Sequence, residues 1–186
     1  MAVRANIIET YEISNNKKKI SLIIKHYSYW DGILEACIGN MVEDILDEIR
    51  YNRRAAFGDL GIRVQTSGTG NPTESIGINE TMLEKAIAAC DFSGGILDDT
   101  DDSEKYIRIA ATIRNIKRDI KTFNRQFKFL NDEEKQEVLD YITGKQSIYD
   151  LSEKWHVEDT TAYKKIERLV SVVKDETLEA MERRKG

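Results

Sequence analysis

The chain is predicted to be all-α: an N-terminal helical region, then a basic helix, then a C-terminal helix-turn-helix. Three observations predict it. Apolar residues from Ile33 to Ile49 recur every four positions, the signature of an amphipathic helix. Residues 104–129 repeat that periodicity under a strongly basic opposite face, and residues 129–173 divide into three short helical patterns separated by two breaks. A single proline in 186 residues, with 33% charged residues and 8% aromatics, favours helices over strands.

The length suits one domain or two small ones, and 40% hydrophobic content supplies a core. The expected division is 1–97, carrying a Gly-rich loop at 58–77, and 98–186. A net charge of −5 argues against indiscriminate coating of nucleic acid, whose affinity comes from counterion displacement by many cations. Cys37 and Cys90 are too few and too far apart for a disulfide framework or a metal site, which predicts a reducing cytoplasm. No apolar run approaches the roughly 18 residues of a membrane span, and Met1 to Ile20 lacks the apolar centre of a signal peptide.

In chain order, Ile7, Ile8, Tyr11 and Ile13 precede Asn15-Asn16-Lys17-Lys18-Lys19, expected to be a turn, and Ile20 to Ile24 follow it. Both flanks fit short helices or strands, because runs this short do not decide by periodicity. From Tyr27 to about Phe57, one helix, or two joined near Gly39-Asn40, buries Ile33, Cys37, Met41, Ile45 and Ile49. It turns Asp31, Glu35, Glu43, Asp44, Asp47 and Glu48 outward. With no His beside them, these carboxylates read as a solvated face.

Residues 58–77 form the loop. Ser67-Gly68-Thr69-Gly70-Asn71 lacks the Gly-Lys-Ser/Thr of a phosphate loop. Asn79 or Thr81 is expected to cap a short helix ending near Cys90. Gly94-Gly95 and Asp98-Asp99-Thr100-Asp101-Asp102 mark a turn, and the aspartates miss the calcium-loop pattern. No metal, cofactor or activated nucleophile is indicated, and the chain is expected not to be an enzyme.

Residues 104–129 hold eight basic residues against two acidic ones. The inward stripe is Ile109, Ile113, Ile116, Ile120, Phe123 and Phe127. Arg114, Lys117, Arg118, Lys121, Arg125 and Lys128 lie toward the opposite side. They are the candidate phosphate-binding residues, unless they pair with the acidic N-terminal helix.

Next, Asn131 or Asp132 caps a helix with Val138, Leu139 and Ile142 inward, and Gly144 stops it. Ser147 caps a two-turn helix with Asp150 as its capping-box partner and Ile148, Leu151 and Trp155 on one face. His156 to Asp159 make the turn. The helix from Thr160 then buries Val157, Ala162, Ile166 and Leu169 or Val170, which leaves Thr160, Thr161, Tyr163, Lys164, Lys165 and Arg168 facing out. Such side chains suit the major groove: Thr160, Thr161, Lys164, Lys165 and Arg168 as base readers, Tyr163 on phosphate. From Val173 the helix continues and then frays, with Leu178 and Met181 available for a homodimer seam.

The segment resembles the helix-turn-helix of sigma-70 region 4 and of phage late-transcription regulators of the ArpU and RinA type. The resemblance rests on Glu137-Val138-Leu139, Gly144, Asp150-Leu151-Ser152, Val157 and Thr161-Ala162-Tyr163-Lys164-Lys165-Ile166-Glu167-Arg168. The Ser-Gly loop, Asn71-Pro72 and the following helix are similar to the central part of the phage proteins. The resemblance implies a phage or prophage DNA-binding transcription regulator in the bacterial cytoplasm, with double-stranded DNA as ligand and host RNA polymerase as a protein partner. From Leu130 to Val172, however, ten acidic residues face six basic ones. The net charge of −5 and the acidic Glu158-Asp159 motivate an alternative: a phage-encoded, anti-CRISPR-like inhibitor that acts on a host nucleic-acid enzyme by protein contact.

Overall fold

The structure, a computed structural model, describes the backbone of residues 2–56 and 72–184 and the side chains of residues 7–52 and 80–184. Among the described residues there are helices and no strands, so the protein is all-α. In chain order the helices are α1 (Ala2–Ile13), α2 (Asn16–Lys25), α3 (Trp30–Ala56), α4 (Pro72–Ala89), α5 (Ser103–Gln126), α6 (Asp132–Ile142), α7 (Ile148–Trp155) and α8 (Asp159–Glu182). Short 3-10 turns at Tyr27–Tyr29 and Phe127–Phe129 lead into and out of the long helices. No described helix is long and apolar enough to cross a membrane.

The chain forms two compact units, and they do not follow chain order as the division expected at residue 97 does. The first unit is Met1–Ile8 with Gly32–Arg114; the second is Glu9–Asp31 with Asn115–Gly186.

In the first unit the stripe of α3 is buried at Ile33, Leu34, Met41, Val42, Ile45 and Leu46, as its spacing predicts. Cys37 and Ile49 are only half-buried. Residues 30–56 are one helix through Gly39-Asn40. Helix α4 begins at Pro72, earlier than the expected caps at Asn79 or Thr81. Proline suits a first helical position, because its missing N–H is one that a helix start leaves unbonded. The loop expected at 58–77 is therefore helical from residue 72, and residues 57–71 lie outside the described part.

The aspartate segment before α5 is a turn with a specific support. The Glu48 carboxylate accepts from the backbone N–H groups of Asp101 at 2.7 Å and Asp102 at 3.1 Å, and from the Tyr106 hydroxyl at 2.8 Å. A side chain from α3 thus satisfies donors that open at the start of α5. Gly95 has φ +77°, which favours glycine, and a Cβ there would meet Asp98 Oδ2 at 2.6 Å and displace that carboxylate.

In the second unit, α1 and α2 meet at Ser14-Asn15. Asn15 caps α2 by accepting from Lys18 N–H at 2.9 Å. Lys17 to Lys19, expected in a turn, are instead the first turn of α2, because the Asn15 side chain supplies a local start signal. The core holds Tyr11, Ile20, Ile23, Trp30, Ile116, Phe123 and Phe127, with Val138 of α6, Leu151 of α7 and the inner face of α8. Helices α2, α6 and α7 all pack on α8.

A polar bond fixes the far end of α8. Asp119, only 4% exposed, accepts from the Tyr11 hydroxyl at 3.0 Å and from Arg184 Nη1 at 2.8 Å. Arg184 also reaches Thr122 Oγ1. Burial raises the Tyr11 phenol well above its ordinary value, and the neighbouring Asp119 charge adds to the effect.

Candidate nucleic-acid interface

The C-terminal motif is built from local signals. Asn131 and Glu134 form a reciprocal capping box at the start of α6, and Ser147 and Asp150 form another at the start of α7. Each satisfies helix-terminal N–H groups and fixes where its helix begins. The capping bond also holds the Asp150 carboxyl below its ordinary range.

Both helices end in a left-handed residue. After α6 it is Gly144 at φ +73°; after α7 it is His156 at φ 53°, ψ 46°. In each case two backbone N–H groups turn back onto the last helical carbonyls: Gly144 to Tyr141 and Lys145 to Asp140, then His156 to Glu153 and Val157 to Ser152. This paired pattern closes the helix and aims the departing chain. The turn of the motif is thereby set by backbone bonds.

Helix α8 then presents the expected outer face. Thr160, Thr161, Tyr163, Lys164, Lys165 and Arg168 are exposed, whereas Ala162, Ile166 and Val170 are buried. Val170 takes the inner place that periodicity left open to Leu169 or Val170. Val157 differs from expectation: its backbone N–H closes α7 on the Ser152 carbonyl, and its side chain is 38% exposed.

The outer face has an acidic edge. Glu153, Glu158 and Asp159 are exposed, and Glu158 stands at the N-cap of α8 without a side-chain capping bond. Tyr149 donates to Glu153 at 2.7 Å, and that bond pushes its phenol up. Ser152, Glu153, His156, Val157 and Glu158 line a shallow concavity at the turn.

Behind this face lies a network that sequence reasoning missed. Glu137 of α6 is 3% exposed. Its Oε1 accepts from the Trp155 indole N–H at 2.8 Å and from Lys154 Nζ at 2.7 Å. The hydrogen bond to Glu137 raises the Lys154 ammonium pKa. Lys165 Nζ of α8 sits 3.8 Å from the centroid of the Trp155 ring, a close cation–π contact. The available signal was Trp155 itself: an indole N–H on a two-turn helix requires an acceptor when it is partly buried.

On α5, Lys117, Arg118, Lys121, Arg125 and Lys128 belong to the second unit and are exposed; Arg114 is exposed as the last residue of the first unit. Within the second unit, Lys117, Lys121 and Arg125 form no ion pair among the described residues. Arg118 Nε lies 3.9 Å from Asp119, and Lys128 is 4.8 Å from the Phe129 ring.

Just past the end of α8, Arg184 meets α5. Arg184 is bonded at Asp119 and Thr122, and α8 also touches the Phe127–Phe129 turn. At about 1.5 Å per residue, Arg168 lies about 24 Å along the helix axis from Arg184.

Among the described residues, no group of His, Cys, Asp and Glu is arranged to hold a metal ion. Compared with protein-family models, with curated proteins and with solved structures, the chain matches none of them.

Proposed function

We propose that the chain is a phage or prophage transcription regulator whose C-terminal unit reads duplex DNA through α8. The observation that carries this reading is the outer face of α8. Its side chains at Thr160, Thr161, Tyr163, Lys164 and Arg168 are exposed, hydrogen-bonding or cationic, and stand directly after a tightly closed turn. Threonine can touch base edges or thymine methyls, and Lys164 and Arg168 can reach guanine acceptors or phosphate. Lys117, Lys121, Arg125 and Lys128 supply exposed cations in the same unit as α8, which suits backbone contact. Host RNA polymerase is the protein partner that accompanies this reading.

The test is a mobility shift on random-sequence duplex across a salt series, followed by selection of preferred sites. An enriched site and a steep salt dependence are expected. Lys164→Ala and Arg168→Ala should each weaken specific binding by roughly 1–3 kcal/mol. Unchanged affinity in the double variant sinks groove docking by α8.

A second reading rests on the exposed Glu153, Glu158 and Asp159 at the front of the motif. In that reading the acidic edge occupies the nucleic-acid site of a host enzyme, as an anti-CRISPR-like inhibitor would. No shift of duplex at low salt, together with inhibition of a host nuclease or polymerase, would favour it.

A further inference from the structure

Resting on the DNA-reading proposal for α8, we infer that Lys165 is a positioning residue that clamps the reading helix, and that it is not one of the residues that read bases. Five side chains were expected to read bases, and Lys165 is the one whose charged end the fold already engages. Its ammonium lies 3.8 Å from the centroid of the Trp155 ring. The edge of that ring donates to Glu137 at 2.8 Å, and Glu137 is buried in α6. The chain of contacts runs α8, α7, α6, through Lys165, Trp155 and Glu137 in turn.

Each contact constrains a different freedom. The indole hydrogen bond fixes the in-plane direction of the ring, because only one N–H is available and its acceptor is buried. The cation then seats on the ring face, where the quadrupole is negative. With Lys165 held, the neighbouring positions Lys164 and Arg168 are presented at a set rotation of α8 about its axis. A lysine reaching away to a base would have to give up the ring contact.

The test separates clamp from reader, and it also separates failure of the clamp from failure of DNA reading. In the unliganded protein, the Lys165 ε-methylene protons should be displaced upfield by the ring current. Lys165→Met should move the Trp155 indole N–H resonance, whereas Lys164→Met should leave it in place. Lys165→Met should lower the folding equilibrium constant roughly 2- to 5-fold, with Lys165→Arg restoring it. A ring-current shift of zero overturns the clamp whether or not DNA binds.

With DNA, the slope of log affinity against log salt should fall by about 0.9 for a lysine that touches one phosphate. Lys164→Met is expected to lose slope or sequence preference, whereas Lys165→Met should lose affinity with slope and preferred site unchanged. A loss of about 0.9 in slope, or a changed preferred base, on Lys165→Met shows a direct contact and overturns the inference. If the wild-type chain shifts no DNA, the function proposed above fails while the resonance measurement still decides the clamp.

Discussion

Replacing Asp119 with alanine probes the bond that ties α1, α5 and the end of α8 together. Asp119 and Tyr11 stand 108 residues apart in sequence and 3.0 Å apart in the second unit. Tyr11 is fully buried, so its hydroxyl, deprived of its acceptor, costs about 1–3 kcal/mol. Arg184 keeps a side chain 29% exposed, so water takes over part of its role and its loss adds no more than about 1 kcal/mol. The expected destabilisation is therefore about 1–4 kcal/mol. Urea unfolding followed by tryptophan fluorescence measures it, since the Trp30 ring stands edge-on to Tyr11 at 5.9 Å. Adding Tyr11→Phe removes the orphaned hydroxyl, so the double variant should regain about 1 kcal/mol over Asp119→Ala alone. A cost below about 1 kcal/mol for the single variant, or further loss in the double, refutes the role assigned to this bond.

His156→Gly should stabilise the protein by about 1 kcal/mol, because a side chain at φ 53° strains a position that glycine adopts freely; a lowered melting midpoint would show instead that the imidazole is needed. Stability should fall on the alkaline side. Burial holds the Tyr11 and Tyr106 phenols above their ordinary value near 10, so the unfolded chain releases those protons first. The stabilisation is complete below that value and declines as pH rises above it, by about 1.4 kcal/mol per pH unit for each phenol. Urea midpoints across that range should show a shallower decline for Tyr11→Phe than for wild type.

What the sequence disclosed was whatever is encoded within one helical turn. Asn131 with Glu134 and Ser147 with Asp150 are three residues apart, and both capping boxes form. Gly144 and His156 follow amphipathic runs and both close them. The alternation of Ala162, Ile166 and Val170 with Thr161, Lys164 and Arg168 gave both faces of α8. Signals whose partners lie far along the chain were not legible. Nothing near Glu48 indicates that it caps a segment more than fifty residues later, and nothing near Tyr11 points to Asp119. Glu137 was noticed as part of a resemblance, without a role, because its two donors sit on another helix. The division into units depends on such distant contacts, which is why a boundary drawn at the Gly- and Asp-rich break around Leu97 differs from the compact units of the fold. Lys17 to Lys19 were misplaced for the opposite reason: a charge run suggested a turn, and one capping asparagine outweighed it.

Helix α8 carries the outer face near its start and the Arg184 anchor just past its end, and the side chains buried between them, from Ala162 through Thr177 to Met181, leave no interruption. A tilt of α8 about its Arg184–Asp119 bond would act through it as a lever. With an arm of about 24 Å, a tilt of about 5° at the pivot carries Arg168 through about 2 Å, a large fraction of a hydrogen bond's length. Substitutions at Tyr11, Thr122 or Asp119 can therefore re-aim Thr160 to Arg168 without touching them. In the DNA-reading proposal, such positions would retune the head by adjusting its mounting.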